Sequence, residues 1–183
     1  EKFHSWRNNR WDTFCLVTPN WQCRLPNYPY KGDDPHGFML KDEITDYLDG
    51  FAASFDAPIL ESVTAQRITT TSDGGYRVET SQGVWLCNEV VIATGGYDEP
   101  IIPAYADKLS PDIQQMHSKD YRRPSEIPDG ATLVVGTGQS GVQIMEDLVR
   151  EGRDVHLAVG PAPRSPRKYR SPDATDWPHE MGH

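Results

Sequence analysis

The strongest constraint on the fold lies late in the chain, where TLVVGTGQSGVQIMEDLVREGRDVHLAVG runs from Thr132 to Gly160. It reads as strand TLVV, loop GTGQSG, helix VQIMEDLVREG and strand DVHLAVG, and this alternation predicts a parallel sheet. Gly136-Thr137-Gly138-Gln139-Ser140-Gly141 fits the spacing GxGxxG. Gly136 permits the tight turn, Gly138 removes a side chain so that backbone can approach a pyrophosphate, and Gly141 lets helix and strand pack closely. The N-terminus of the helix then offers free N–H groups and its positive dipole end to the anion. A Gly-rich turn in an unrelated α/β protein would match the loop, but not the lengths of all four pieces together.

The choice of nucleotide is read at the end of the second strand. NAD and FAD sites place Asp or Glu there, about 20 residues beyond the first glycine, to bind ribose hydroxyls. That position falls near Val159 and Gly160, where no acid stands, and the chain continues PAPRSPRKYR with Arg164, Arg167, Lys168 and Arg170. A guanidinium fork pairs well with a 2′-phosphate, so Arg164 and Lys168 are expected to recognise NADP(H), against the alternative of a solvated basic loop.

The rest of the composition narrows the partners. Eighteen basic residues against 27 acidic ones give a net charge of −9, which disfavours nucleic acid and anionic membrane surfaces. No apolar run approaches the length of a membrane span, and the polar start EKFHSWRNNR lacks a signal-peptide core, so a cytoplasmic protein is expected. Cys15, Cys23 and Cys87 form no CxxC pair, which argues for reduced thiols and against a cysteine zinc site. The histidines lack metal-ligand spacing, and no metal is expected. The start at Glu1 and the close on SPDATDWPHEMGH, read as having no finishing helix or strand, are what a piece of a longer chain would show.

Upstream, residues 1–37 are rich in Trp, Asn, Pro and Tyr without sustained period, and read as ordered irregular structure. LKDEITDYLDGFAASF sets Ile44, Tyr47, Leu48, Phe51 and Phe55 at helical spacing, with Asp42 and Glu43 in the first turn. Asp73-Gly74-Gly75 between β-prone runs predicts a hairpin, and VVIATGG predicts a buried strand running into a glycine turn. A Pro-rich crossing segment leads from there to the opening motif.

In this order the motifs resemble the flavin-containing monooxygenases, and more broadly flavoproteins with two dinucleotide-binding domains. RWDTFCLVTPNWQCRLPNYPY resembles the stretch lining the flavin ring, VVIATGGYDEPIIP the ATG motif that closes the FAD domain, and MHSKDYRRP, with His117 and Tyr121 four apart, half of the monooxygenase fingerprint. Pro111-Asp112-Ile113 stand where the fingerprint's Phe-x-Gly would fall, and the family's own FAD glycine loop would lie before Glu1. The resemblance implies an α/β, Rossmann-like three-layer fold with a β-hairpin insertion, incomplete at both ends. Residues 1–103 would belong to the FAD-binding segment and 104–183 to the NADP(H)-binding domain.

It further implies FAD and NADP as cofactors, a small organic substrate and O2. Trp11, Asp12, Asn20, Val63, Ala93, Thr94 and Gly95 join Gly136, Gly138, Gln139, Ser140, Gly141, Arg164 and Lys168 as expected cofactor-binding residues. For Trp11 and Asp12 the alternative is an anchor in an irregular segment; for His117, a weak catalytic candidate, it is a loop histidine bonded to backbone. Two other activities are compatible: an NADPH oxidoreductase that does not oxygenate, and a truncated nucleotide-binding protein without turnover. A flavin disulfide reductase would need a closely spaced redox cysteine pair, and Cys15 and Cys23 are separated by seven residues.

Overall fold

A computed structural model describes residues 1–97, 99–161, 166–168 and 173–181. In chain order its elements are α1 (His4–Asn8), β1 (Arg24–Leu25), β2 (Tyr28–Pro29), α2 (Lys41–Ser54), β3 (Ala65–Thr70), β4 (Tyr76–Thr80), β5 (Gly83–Cys87), β6 (Thr132–Val135), α3 (Gln139–Arg150), β7 (Val155–Ala158) and α4 (Asp176–Glu180). β1 and β2 make an antiparallel ribbon, β3–β4–β5 an antiparallel meander, and β6 and β7 the expected parallel pair. No helix among the described residues is long and apolar enough to cross a membrane.

The amphipathic stretch over 40–55 forms α2. Leu40 at its N-cap has no polar side chain to offer, so Glu43 accepts the Leu40 N–H at 2.7 Å. Ile44 and Ala52 are buried, while the Tyr47 hydroxyl accepts the Leu25 N–H at 3.1 Å and donates to the Tyr28 carbonyl at 2.6 Å, fastening the ribbon to the helix. Phe55, expected on the apolar face, is 57% exposed because the helix ends at Ser54. The hairpin forms at Asp73-Gly74-Gly75, where Gly74 has φ +88°, and β5 extends it into a meander by pairing from Tyr76↔Cys87 to Thr80↔Gly83.

Two expectations are corrected. The run Val90 to Gly96 forms no buried strand: Val91 and Ile92 are 87% and 73% exposed. Among the described residues no strand pairs with it, and an extended apolar run needs a neighbour to take its N–H and C=O groups before it can be buried. The closing stretch, read as having no helix, makes a single helical turn, α4, whose Pro178 falls within the first turn, where proline is tolerated.

The core joins distant parts of the chain. Trp11, Tyr121, Ile144 and Leu148 are buried together, with Phe14, Ile127, Val134 and Val155 packed around them. The apolar stripe of α3 thus packs against β6, β7 and the irregular segment 11–15 together. Trp11 meets Phe14 edge-on at 5.1 Å between ring centroids and Tyr121 at 6.4 Å. Arg153, in the α3–β7 turn, ties it to the crossing segment by donating to the Ile127 carbonyl at 2.7 Å.

Candidate functional site

The loop between β6 and α3 uses its three glycines for three different purposes. Gly136 has φ +103°, a left-handed conformation that other residues avoid, while its N–H still bonds to the Ala158 carbonyl at 3.0 Å. At Gly141 a Cβ would collide with the Gly136 carbonyl oxygen, so its absence is what lets the first turn of α3 sit on the end of β6. At Gly138 a Cβ would meet nothing within 4 Å, and the φ of −68° suits any residue. No contact within this chain requires glycine there; what it preserves is open space beside the loop.

The helix begins at Gln139, three residues earlier than the sequence suggests. Gly138 is its N-cap, and the Gly138 carbonyl accepts the Val142 N–H at 3.1 Å. The N–H groups of Gln139, Ser140 and Gly141 therefore have no acceptor within the helix and lie at its positive end. Donors with no partner among the described residues, a favourable dipole and room for a ligand to reach backbone are what a pyrophosphate requires. The loop residues present fit a dinucleotide.

Beyond β7, Val159 is 65% exposed in the place of the ribose acid. Arg164 and Arg170 lie outside the described residues. Arg167 is turned to other work: its Nε pairs with Asp173 at 2.5 Å and its guanidinium stacks over Phe38 at 4.4 Å. Lys168 is exposed and bridges to Asp173 through backbone. Trp21 Nε1 donates to Asp176 at 3.0 Å and the Gln22 amide to the Thr175 carbonyl at 3.2 Å, so the chain after β7 returns across the aromatic segment. Burial works to raise the Asp173 pKa, but the Thr175 N–H and hydroxyl and the Arg167 charge together hold it below the ordinary carboxylate value.

The expected residues of the first segment divide into two sets. Trp11 is 3% exposed, nearly all of its ring taken by neighbours, and its Nε1–H is buried with no hydrogen-bond partner among the described residues. Asp12 pairs with Lys41 at 3.4 Å and Arg123 at 3.2 Å, tying the start of α2 to the crossing segment. Asn20 is buried with both ends of its amide used, Nδ2 donating to the Asp34 carbonyl and Oδ1 accepting the Met39 N–H. These three act as fasteners within the chain. Ala93, Thr94 and Gly95 are exposed, with Gly95 at φ +78°, and Val63 is half-buried before β3; this set leaves surface for a ligand. His117 Nδ1 accepts the Lys119 N–H at 3.1 Å, which closes a local turn and leaves Nε2 as the nitrogen that carries the proton in the neutral ring.

A polar network with no motif in the sequence holds α3 in place. Asp147, 6% exposed, accepts the Thr13 hydroxyl on Oδ1 at 2.8 Å and the Tyr121 hydroxyl on Oδ2 at 2.6 Å. One turn earlier, Gln143 donates to the Cys15 carbonyl at 3.1 Å and accepts the Cys15 N–H at 3.5 Å, standing in for a strand partner. Burial, and then the bond to Asp147, push the Tyr121 phenol far above its ordinary value, so it stays protonated and donating. The available signal was the position of Asp147 beside Leu148 and three residues after Ile144, on the apolar stripe, where a carboxylate needs buried donors.

The sequence profile of a family described as pyridine nucleotide-disulphide oxidoreductase matches residues 22–174. An "Uncharacterized oxidoreductase CzcO-like" of Geobacillus kaustophilus (strain HTA426) is 42% identical over 158 residues, covering 85% of this chain and 43% of that protein. Indole-3-pyruvate monooxygenase YUCCA1 of Oryza sativa subsp. japonica is 28% identical over 157 residues, covering 85% of this chain and 38% of its own length. The structure of a flavin-containing monooxygenase from Stenotrophomonas maltophilia superposes with a TM-score of 0.79 at 22% identity, covering 94% of this chain and 51% of that one, which shows a shared fold. The chain thus spans less than half the length of these two relatives.

Proposed function

Because the chain belongs to the pyridine nucleotide-disulphide oxidoreductase family, we propose that it serves a flavin-dependent monooxygenase in which NADPH reduces FAD and O2 supplies an oxygen atom to a small organic substrate. The observation that carries the nucleotide half of this reading is the loop at 136–141, with its open space at Gly138 and the N–H groups of the first turn of α3, which have no acceptor within the helix. A bound FAD with NADPH would supply the redox chemistry, as acceptor and donor of a hydride respectively. The protein's part is placement, with the β6–α3 loop for the pyrophosphate, Arg164 and Lys168 for the 2′-phosphate, and the Ala93–Gly95 turn on the flavin side. In this reading the FAD-binding segment ends near residue 103 and the NADP(H)-binding domain begins at 104. A cytoplasmic setting agrees with the acidic composition and unpaired cysteines.

Oxygenation is favoured over dithiol chemistry by the cysteines. Burial raises the Cys15 and Cys23 thiols above their ordinary value, the reverse of what a redox thiolate needs. The test is NADPH oxidation by the flavin-loaded protein over a panel of small nucleophilic and carbonyl substrates, with peroxide measured alongside. Oxygenated product is the expected result; peroxide in equal amount to NADPH would mean an oxidoreductase without oxygenation, and nucleotide binding without NADPH oxidation a protein without turnover. Replacing Arg164 and Lys168 together with Ala should weaken NADPH at least tenfold and leave NADH within twofold, since charge-assisted bonds of about 1.5–3 kcal/mol each are lost only from the 2′-phosphate. Equal loss for both coenzymes would overturn the NADP assignment.

A further inference from the structure

Four residues on one face of α3, Gln143, Ile144, Asp147 and Leu148, make all of the helix's buried attachments described above. Two of the attached segments are far apart in sequence. Thr13 and Cys15 belong to the aromatic segment that contains Trp11, and Tyr121 to the crossing segment four residues after His117. The carboxylate of Asp147 is where the three meet, with one hydroxyl on each oxygen.

We infer that Asp147, supported by Gln143, is a positioning residue that sets the angle at which α3 presents the nucleotide loop to the aromatic segment. The lever is simple. Asp147 lies nine residues from Gly138, about 13 Å along the helix, so a tilt of about 5° at Asp147 displaces the loop by roughly 1 Å. Misplacement of that size can cost about 100-fold in a step that depends on near-contact alignment. Apolar packing of Ile144 and Leu148 against Trp11 and Tyr121 supplies affinity between the segments, but it is non-directional and tolerates rotation. Two short hydrogen bonds to separate oxygens of one carboxylate do not. Burial strengthens the constraint, because the alternative for Asp147 is an unpaired charge out of reach of water.

The inference rests on the NADPH–flavin reading above, and the experiment separates the two. The flavin-loaded protein and its Thr13→Val, Tyr121→Phe, Thr13→Val/Tyr121→Phe and Asp147→Asn variants are mixed anaerobically with NADPH, and the reduction rate at saturation is measured apart from the Kd. The double variant should lose about tenfold or more in the saturating rate while its Kd stays within twofold, because the loop itself is untouched. Each single variant should fall between, and Thr13→Ser should restore the rate. The long-wavelength charge-transfer absorbance of the nicotinamide–flavin pair should weaken in parallel. In flavin-free protein, hydrogen exchange should quicken at the Cys15 amide and along α3, and not at β4. If wild type reduces flavin and the double variant does so at the same saturating rate, with only a lower unfolding midpoint, Asp147 is structural and the inference falls. If wild type binds NADPH and flavin but no reduction occurs, the functional reading falls instead. Should Asp147→Asn fail to fold, the two hydroxyl deletions decide the question, as each removes a donor at almost unchanged volume.

Discussion

Two stretches of this chain carry nearly the same sequence instruction and end in different states. LVVGTG at 133–138 and VIATGG at 91–96 are both apolar runs entering a glycine turn. The first forms β6, pairs in parallel with β7 from Thr132↔Val155 to Val135↔Ala158, and is covered on one face by α3. The second is unpaired among the described residues and open to solvent at Val91, Ile92 and Tyr97. The difference teaches that an apolar β-prone run specifies a capacity to pair. Burial follows only where a second strand and a helix arrive to complete the hydrogen bonds and remove the side chains from water.

The contrast can be broken by truncating one apolar side chain in each region. Leu148→Ala empties a site that is 1% exposed between α3, the sheet and Trp11, and should cost about 2–5 kcal/mol in urea unfolding. Val91→Ala, at 87% exposure, should change stability by less than about 0.5 kcal/mol. Comparable losses would mean that the run 90–96 is buried in solution and that the two regions are alike after all.

A smaller effect separates the two glycine turns. Gly138→Val should leave the unfolding midpoint nearly unchanged, since the added atoms meet nothing within 4 Å, yet reduce NADPH affinity at least tenfold by filling the ligand's approach to backbone. Gly96→Val, equally free of internal contacts, should leave NADPH affinity within twofold. Titration of nucleotide fluorescence checks both, and retained affinity in folded Gly138→Val would reduce GTGQSG to a turn.

The smallest effect concerns the segment after β7, which side-chain bonds from Trp21 and Gln22 dock on the aromatic segment. The Asp173 carboxyl has a lowered folded pKa, so its contribution to docking the chain after β7 is fully present above the ordinary carboxylate value of about 4 and is lost as pH falls through the lower folded value. For an ion pair near the surface this is worth about 0.5 kcal/mol. Proteolysis near residues 173–176 should accelerate below about pH 4, before any change in the far-ultraviolet spectrum. Asp173→Asn should show the faster cleavage already at neutral pH. Equal cleavage rates for wild type and variant at pH 7 would remove Asp173 from the docking.

Much of this was legible in the residues because it is local. A glycine at φ +103°, a helix whose first turn lacks acceptors, an amphipathic stripe and a DGG turn are each decided within a few positions, and Gly136, Gly138, Gly141, α2 and the β3–β4 hairpin stand where the spacing put them. The internal contacts of Trp11, Asp12 and Asn20 were not legible, since side chains of these types serve a ligand and a neighbour equally well. Only the approach of segments more than a hundred residues apart packed Trp11 into the core, joined Thr13 to Asp147 and set Arg167 over Phe38. The physical reason is one of range: backbone conformation answers to adjacent residues, whereas burial, buried hydrogen bonds and ion pairs depend on which surfaces meet once the chain has closed.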